Sequence, residues 1–322
     1  AAQRDVESDN GSQLYLSYNA GVSACEKGQQ WNQALALLSE MWEVKLKPSV
    51  ISYNAGISAC EKGQQWHWAV VLLTQMREAK LEPDVISYSA GISACGKGEQ
   101  WNQALALLSE MWEVKLKPSV ISYNAGISAC EKGQQWHWAV VLLTQMREAK
   151  LEPDVISYSA GISACGKGEQ WNQALALLSE MWEVKLKPSV ISYNAGISAC
   201  EKGQQWHWAV VLLTQMREAK LEPDVIISYS AGISACAKGK HWHVALALFS
   251  EMLEAKLEPN VISYNTAISS FEKGDQWHWA LVLLSEIWEA RLEPDVISYN
   301  AGISACEKGK QWYRALVLLS QM

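Results

Sequence analysis

The feature that most narrows what this chain can fold into is a period. The segment Val50–Asp84, VISYNAGISACEKGQQWHWAVVLLTQMREAKLEPD, recurs from one end to the other with small changes. Tyr18, Tyr53, Tyr88, Tyr123, Tyr158 and Tyr193 stand 35 residues apart. Tyr229 follows after 36, because of one extra isoleucine in Val225-Ile226-Ile227, and Tyr264 and Tyr299 restore the 35. After a polar segment, residues 1–14, nine copies follow: Tyr15–Ser49, Val50–Asp84, Val85–Ser119, Val120–Asp154, Val155–Ser189, Val190–Asp224, Ile226–Asn260, Val261–Asp295 and the shortened Val296–Met322. Self-similarity at such a period marks a repeat array, and an array grows by adding units rather than by closing separate cores. Residues 30–156 are identical to residues 100–226, an offset of 70 or two copies, which points to a recent tandem duplication or to a sequence-assembly artefact.

Each copy divides at a glycine into two helical patterns. In Val50–Lys62 the apolar Val50, Tyr53, Ile57 and Cys60 are spaced 3, 4 and 3, one face of a helix. Gly63 is expected as the left-handed residue just past its end. A second helix is expected over Gln65–Lys80, with Trp66, Ala69, Val70, Leu73 and Met76 on one face. Pro83 forbids its continuation and Asp84 can cap the next helix. The unit is therefore a helical hairpin, and β-branched residues nowhere alternate long enough to indicate a strand. One hairpin cannot bury both of its apolar faces, so stacked neighbours must do it. The tryptophans that open every second helix, from Trp31 and Trp66 to Trp312, are expected between layers rather than as a base-stacking platform. The extra isoleucine is expected to be absorbed in a loop bulge, shifting Asp224 relative to the next helix.

Composition excludes several alternatives. Nearly half the residues are hydrophobic (49%) and 19% are charged, as in a packed protein. The longest apolar runs, such as Trp68–Leu73, are too short to cross a bilayer. The eight cysteines occupy one place in the repeat, which Phe271 fills in the remaining copy, so they fill core space; no metal-ligand spacing occurs. Unpaired thiols also favour a reducing compartment. No signal or transit segment is visible, but the chain opens on Ala1-Ala2 and stops in mid-repeat, so a targeting segment can lie outside it.

A net charge of −7 argues against a broad basic patch, not against a local basic stripe. In the second copy Ile51, Asn54, Ser58 and Lys62 are spaced 3, 4 and 4, which places them on a face of the first helix distinct from the packed one. The corresponding lysines, Lys27, Lys62, Lys97, Lys132, Lys167, Lys202, Lys238, Lys273 and Lys308, are present in every copy and form a line of positive charge. A bland role is open to them, since each lysine also complements a helix C-terminus. The fifth residues are Asn19, Asn54, Ser89, Asn124, Ser159, Asn194, Ser230, Asn265 and Asn300, all small hydrogen-bonding groups. The last residues are Ser49, Asp84, Ser119, Asp154, Ser189, Asp224, Asn260 and Asp295, which are also good helix caps.

The period, the Val-Ile-Ser-Tyr-Asn opening, the Lys-Gly joint, the Ala-Leu-x-Leu-Leu core and the Leu-Glu-Pro-Asp ending resemble the pentatricopeptide repeat family, over Tyr15 to Met322. Tetratricopeptide repeats lack the opening and the closing signatures. The resemblance implies an all-α fold, an α-solenoid that winds as a right-handed superhelix of helix-turn-helix repeats. It also implies recognition of single-stranded RNA, one base per repeat, in RNA processing, stabilisation or editing in a mitochondrion or plastid. The fifth and last residues given above would then contact the base edge. The second residues, Leu16, Ile51, Ile86, Ile121, Ile156, Ile191, Ile227, Ile262 and Ile297, would wedge between bases, and the nine lysines would meet phosphate. Carried across, Asn54 with Asp84, Asn124 with Asp154, Asn194 with Asp224 and Asn265 with Asp295 imply uracil. Asn19 with Ser49 implies cytosine, Ser230 with Asn260 adenine, and the Ser89/Ser119 and Ser159/Ser189 pairs a weak purine preference. The implied target is 5′-C-U-R-U-R-U-A-U-3′.

No catalytic constellation, phosphate-cradling glycine loop or metal spacing appears, and His67, His137, His207 and His278 simply share one place in the repeat. The expectation is therefore a binder and not an enzyme, with no cofactor, no membrane partner, and further RNA-processing proteins or a catalytic domain beyond the C-terminus as companions. The competing expectation is a helical-repeat scaffold that grips a protein or peptide in its groove.

Overall fold

The repeat builds the fold helix by helix. A computed structural model describes residues 2–221 and 225–322. Among them are eighteen helices and no strand. The first helices of the copies are α1 (Ala2–Lys27), α3 (Val50–Lys62), α5 (Val85–Lys97), α7 (Val120–Lys132), α9 (Val155–Lys167), α11 (Val190–Lys202), α13 (Val225–Lys238), α15 (Val261–Lys273) and α17 (Val296–Lys308). The second helices are α2 (Trp31–Glu43), α4 (Trp66–Glu78), α6 (Trp101–Glu113), α8 (Trp136–Glu148), α10 (Trp171–Glu183), α12 (Trp206–Glu218), α14 (Trp242–Glu254), α16 (Trp277–Glu289) and α18 (Trp312–Gln321). α1 runs from Ala2 to Lys27, so it begins before the first copy of the repeat.

The chain forms two compact units, Ala1–Ala164 and Cys165–Met322. In the first, α1, α3, α5 and α7 pack successively on one another and each packs on its own second helix; in the second, α11, α13, α15 and α17 do the same. Within each unit the backbones of successive second helices stay further apart than those of successive first helices. Side-chain size explains the difference. First helices meet through small residues, as where Gly96 of α5 faces Ala129 of α7, whereas the bulky Leu38 and Leu72 of two successive second helices both reach Gly56. Each unit is thus a solenoid segment whose tight side is lined by first helices.

The buried set follows the expected stripes, with Tyr53, Ile57 and Cys60 on α3 and Ala69, Leu73 and Met76 on α4 fully enclosed. First helices bury more than one stripe, because a neighbour lies on either side: Ser52, Gly56 and Ala59 are covered as well. All the cysteines are free, and all but Cys25 are buried. Burial pushes the thiols of Cys60, Cys95, Cys130, Cys165, Cys200 and Cys236 up to about 12, so they are inert packing groups.

The glycine joint differs from expectation. Gly63 has φ −79°, and the left-handed residue is the next one, Gln64, at φ 58°. The end of α3 is a Schellman turn, with Gln65 N–H donating to the Cys60 carbonyl at 2.8 Å and Gln64 N–H to that of Glu61 at 3.1 Å. Gly63 is small for a different reason. A Cβ there would stand 2.4 Å from Cδ1 of Trp31, the ring that opens the second helix of the preceding copy. Gly98, Gly133 and Gly203 meet Trp66, Trp101 and Trp171 in the same way. The tryptophans therefore seal successive copies, as expected, and the glycine is what lets them in. The extra isoleucine is also accommodated differently: α13 has 14 residues where the other complete first helices from α3 onward have 13, so a helix takes it up and not a bulge.

Candidate nucleic-acid interface

Burial leaves each first helix one open face. Apart from the half-buried Val50 at its start, the uncovered positions of α3 are Ile51, Asn54, Ala55, Ser58, Glu61 and Lys62. The expected second, fifth and thirteenth residues therefore share one surface. The second residues project from their own helices: Leu16, Ile51, Ile86, Ile121, Ile156, Ile191, Ile227, Ile262 and Ile297 are 59–73% exposed. Large apolar groups left in water at one per repeat have no packing role within the chain.

Beside each isoleucine lies a polar cluster that spans two copies. The last residue of one copy caps the first helix of the next. Ser87 N–H donates to Asp84 Oδ1 at 2.9 Å, and Asp84 N–H donates back to Ser87 Oγ at 3.1 Å. The fifth residue joins this box. Asn54 Nδ2 donates to the Asp84 carboxylate at 3.2 and 3.3 Å, and Ser87 Oγ donates to Asn54 Oδ1 at 2.5 Å. Asn124, Asp154 and Ser157 repeat the arrangement, and Asn265, Asp295 and Ser298 do so with a single Asn–Asp bond of 3.0 Å. These bonds fix which way the amide points and leave one N–H and one oxygen lone pair of each asparagine unused. Burial pushes the carboxyls of Asp84, Asp154 and Asp295 up. Hydrogen bonds from the serine two places after each following valine and from the asparagine outweigh it, so all three end below the ordinary carboxylate value.

The serine copies are built differently. Ser89 is buried and shares a 2.8 Å hydrogen bond with Ser122 Oγ, and Ser122 is in turn bonded to the cap Ser119. Ser230 bonds Ser263 likewise, Ser263 N–H donating to the cap Asn260 at 2.9 Å. Ser159 is buried. In the first copy Ser52 Oγ donates to Asn19 Oδ1 at 2.5 Å and is capped with Ser49. Ser189 caps α11, Ser228 Oγ donates to Asn194 Oδ1, and Asn300 is exposed. Asp224 lies outside the described residues, so the Asn194/Asp224 pair is not described.

The third residue of each copy escaped sequence reasoning. Ser52, Ser87, Ser122, Ser157, Ser192, Ser228, Ser263 and Ser298 are at most 1% exposed. Where the bonds are described, the serine ties a cap to the fifth residue of the preceding copy. The signal was present as a capping-box spacing, a Ser or Asp followed three residues later by Ser.

The lysine line is not uniformly positive. Lys62, Lys97, Lys238 and Lys308 are ion-paired to Glu26, Glu61, Glu201 and Glu272, the twelfth residues of the preceding copies, at 2.9–3.2 Å. Lys27, Lys132, Lys202 and Lys273 have no acidic group within ion-pair distance among the described residues. In the second unit the stripe encloses a recess of about 340 Å³, with Asn194, Glu201, Ile227, Ser230, Asn260 and Ile262 in its wall.

Family models agree with this geometry. The model described as "Pentatricopeptide repeat domain" matches residues 4–63, 36–99, 71–133, 107–168 and 141–203, and those for "PPR repeat family" and "PPR repeat" match 225–273 and 262–292. No curated protein matches the chain. Among solved structures, the pentatricopeptide repeat protein PPR10 from maize aligns with a TM-score of 0.81 at 20% identity, over 96% of this chain and 43% of that one. PPR10 in complex with an 18-nt psaJ RNA element aligns with a TM-score of 0.76, again at 20% identity, over 99% of this chain and 47% of that one. The chain thus spans less than half the length of the protein it superposes on, and the likeness is one of fold. With family models matching repeat after repeat from residue 4 to 203 and again from 225 to 292, on hairpins that stack as that family's do, this chain belongs to the pentatricopeptide repeat family.

Proposed function

We propose that the chain binds single-stranded RNA along the first-helix face, one base per repeat, and serves in processing, stabilisation or editing of an organelle transcript. The observation that supports this best is the row of exposed second-position side chains alternating with pre-oriented Asn–Asp–Ser clusters. An exposed isoleucine is a surface on which a base can lie, and the unused amide groups beside it suit hydrogen bonding to a base edge. RNA in the PPR10 complex shows that this fold takes such a ligand in another protein. The fifth and last residues read the base, with 5′-C-U-R-U-R-U-A-U-3′ as target. The serine copies contribute least, because the short hydroxyls of Ser89 and Ser230 are already bonded to Ser122 and Ser263.

A titration of that octamer, a scrambled RNA and the matching DNA over several salt concentrations tests the reading. A preference for the octamer with a negative log–log salt slope is expected, and equal, salt-independent binding of all three would sink it. Replacing Asn124 by threonine should move preference at the fourth base from uracil toward guanine, and loss of one good contact should cost about 1–3 kcal/mol. Unchanged preference would refute the base assignment.

A protein-binding scaffold is the second reading. One observation favours it: on the second-helix side, Trp31, Trp42, Tyr53 and Trp68 line a recess of about 670 Å³ between α2 and α4. A scaffold using only that face would show no salt-dependent RNA binding.

A further inference from the structure

The lysines divide into two classes by what stands opposite them in the preceding copy. The twelfth residue is Glu26, Glu61, Glu131, Glu201, Glu272 or Glu307 in six copies, but Gly96, Gly166 or Ala237 in the other three. Glu26 is paired with Lys62 alone, whereas the next copy clasps Glu61, Glu201 and Glu272 from two sides. Glu61 Oε1 accepts from Ser93 Oγ at 2.7 Å and pairs with Lys97 Nζ at 3.1 Å. Glu201 is held by Ser234 at 2.6 Å and Lys238 at 3.2 Å, and Glu272 by Ser304 at 2.8 Å and Lys308 at 3.2 Å. The carboxylates are 20–23% exposed and the lysines 36–40%, so the acid sits deeper and is fixed in the stripe. Where glycine or alanine stands instead, the next first helix closes in. A Cβ on Gly96 would stand 3.2 Å from that of Ala129, and α5 and α7 pack more closely than α3 and α5. Among the described residues no acid remains there for Lys132, nor for Lys202 or Lys273 in the equivalent places.

A clasped lysine is a poor phosphate ligand. Its charge is already compensated, and a phosphate reaching it must displace a serine-anchored carboxylate or lie beside it, like charge against like. An unclasped lysine has its charge balanced by mobile ions, whose release is what drives phosphate binding. We propose that this chain grips the RNA backbone at only some of its repeats: Lys132, Lys202 and Lys273 hold phosphates at a two-repeat pitch, with Lys27 three repeats before them, while Lys62, Lys97, Lys238 and Lys308 are inter-repeat clasps. The grip coincides with base reading. In the middle of the array Lys132, Lys202 and Lys273 lie in copies whose fifth residue is asparagine and Lys97 and Lys238 in copies where it is serine; toward the ends the clasped Lys62 and Lys308 break the pattern, since they lie with Asn54 and Asn300. The copies between then act as spacers that let the strand pass. This inference rests on the RNA-binding reading above.

The experiment removes three lysines of each class from the full chain. One variant is K132Q/K202Q/K273Q. The other deletes three clasps whole, E61Q/K97Q with E201Q/K238Q and E272Q/K308Q, so that no glutamate is left uncompensated. Both are titrated with 5′-C-U-A-U-A-U-A-U-3′ over a salt series, and circular dichroism checks that helix content is kept. At about 0.7 in slope per single-strand contact, the first variant should lose about 2 from the log–log slope and the second almost nothing. A third variant, E61Q/E201Q/E272Q, frees three lysines and should steepen the slope by about 2. Equal losses in the first two, or no change in the third, overturn the two-class assignment while leaving RNA binding intact. Absence of wild-type binding to any RNA instead overturns the reading beneath it, and this one with it.

Discussion

Two neighbouring copies, Val85–Ser119 and Val120–Asp154, have the same pair of 13-residue helices and differ in what they offer on their open face. The second presents a half-buried Asn124 tied to the Asp154 carboxylate, an unclasped Lys132 and an exposed Ile121. The first presents the same exposed isoleucine, as Ile86, but its fifth residue is the buried Ser89, its cap is uncharged and its Lys97 is clasped. Two small substitutions, Asn to Ser and Asp to Ser, thus turn a charged, hydrogen-bonding copy into a quiet one without altering the hairpin, while the twelfth residue acts one copy on: Glu61 clasps Lys97, and Gly96 leaves Lys132 without an acid. The backbone of this repeat is insensitive to the very positions at which its chemistry is written. The core positions and the glycine joint carry the fold, and the stripe is free to vary.

The comparison can be broken most forcefully at the two copies' glycines. Gly133→Ala places a Cβ 2.4 Å from Trp101 Cδ1 and should cost about 1–3 kcal/mol, measured as a fall in the urea midpoint. Gly96→Ala meets Ala129 at 3.2 Å, a contact a slight shift relieves, and gains helix propensity of about 0.5–1 kcal/mol, so it should be nearly neutral. Equal costs at the two sites would show that the joint is not a packing position.

The caps give an intermediate effect and separate the copies by pH. The carboxyls of Asp84, Asp154 and Asp295 lie below their ordinary value in the folded chain. Their contribution is therefore complete above the unfolded carboxylate pKa, about 3.9, and is lost as pH falls through it toward the lowered folded values. Asp84→Ala should cost about 0.5–2 kcal/mol at neutral pH and much less below pH 3, whereas Ser119→Ala should cost a similar amount at both. Thermal unfolding at the two pH values distinguishes them; a pH-independent loss for Asp84→Ala would contradict the assigned hydrogen bonds.

The smallest effect is expected where both copies are alike. Gln134 follows Gly133 at φ 57° and Glu99 follows Gly98 at φ 60°. Replacing either by glycine relieves a left-handed residue and should stabilise by up to about 1 kcal/mol, equally in the two copies. Destabilisation at one alone would mean that its side chain is held by contacts beyond the turn.

Much of this molecule was legible along the chain because a repeat states each position nine times. The 3, 4 and 4 spacing of Ile51, Asn54, Ser58 and Lys62 sufficed to place them on one face, since helical geometry is local. Interchange of cysteine with Phe271 sufficed to make the thiols core. What spacing within a copy could not supply was anything formed between copies. Gly63 looked like a left-handed cap because glycine favours that conformation; its actual partner is a tryptophan 32 places earlier. The third-position serines looked like ordinary helix residues, yet Ser87 and Ser157 each bond both the asparagine and the terminal aspartate of the copy before.

By itself the sequence determined the period, the hairpin, the core stripes and the face that remains open, because each depends on residues within a few turns of one another. Tertiary structure alone decided which lysines are charged surface and which are clasps. That choice depends on how far a glutamate of one copy stands from the ammonium of the next, and on whether a glycine has let two helices close the gap.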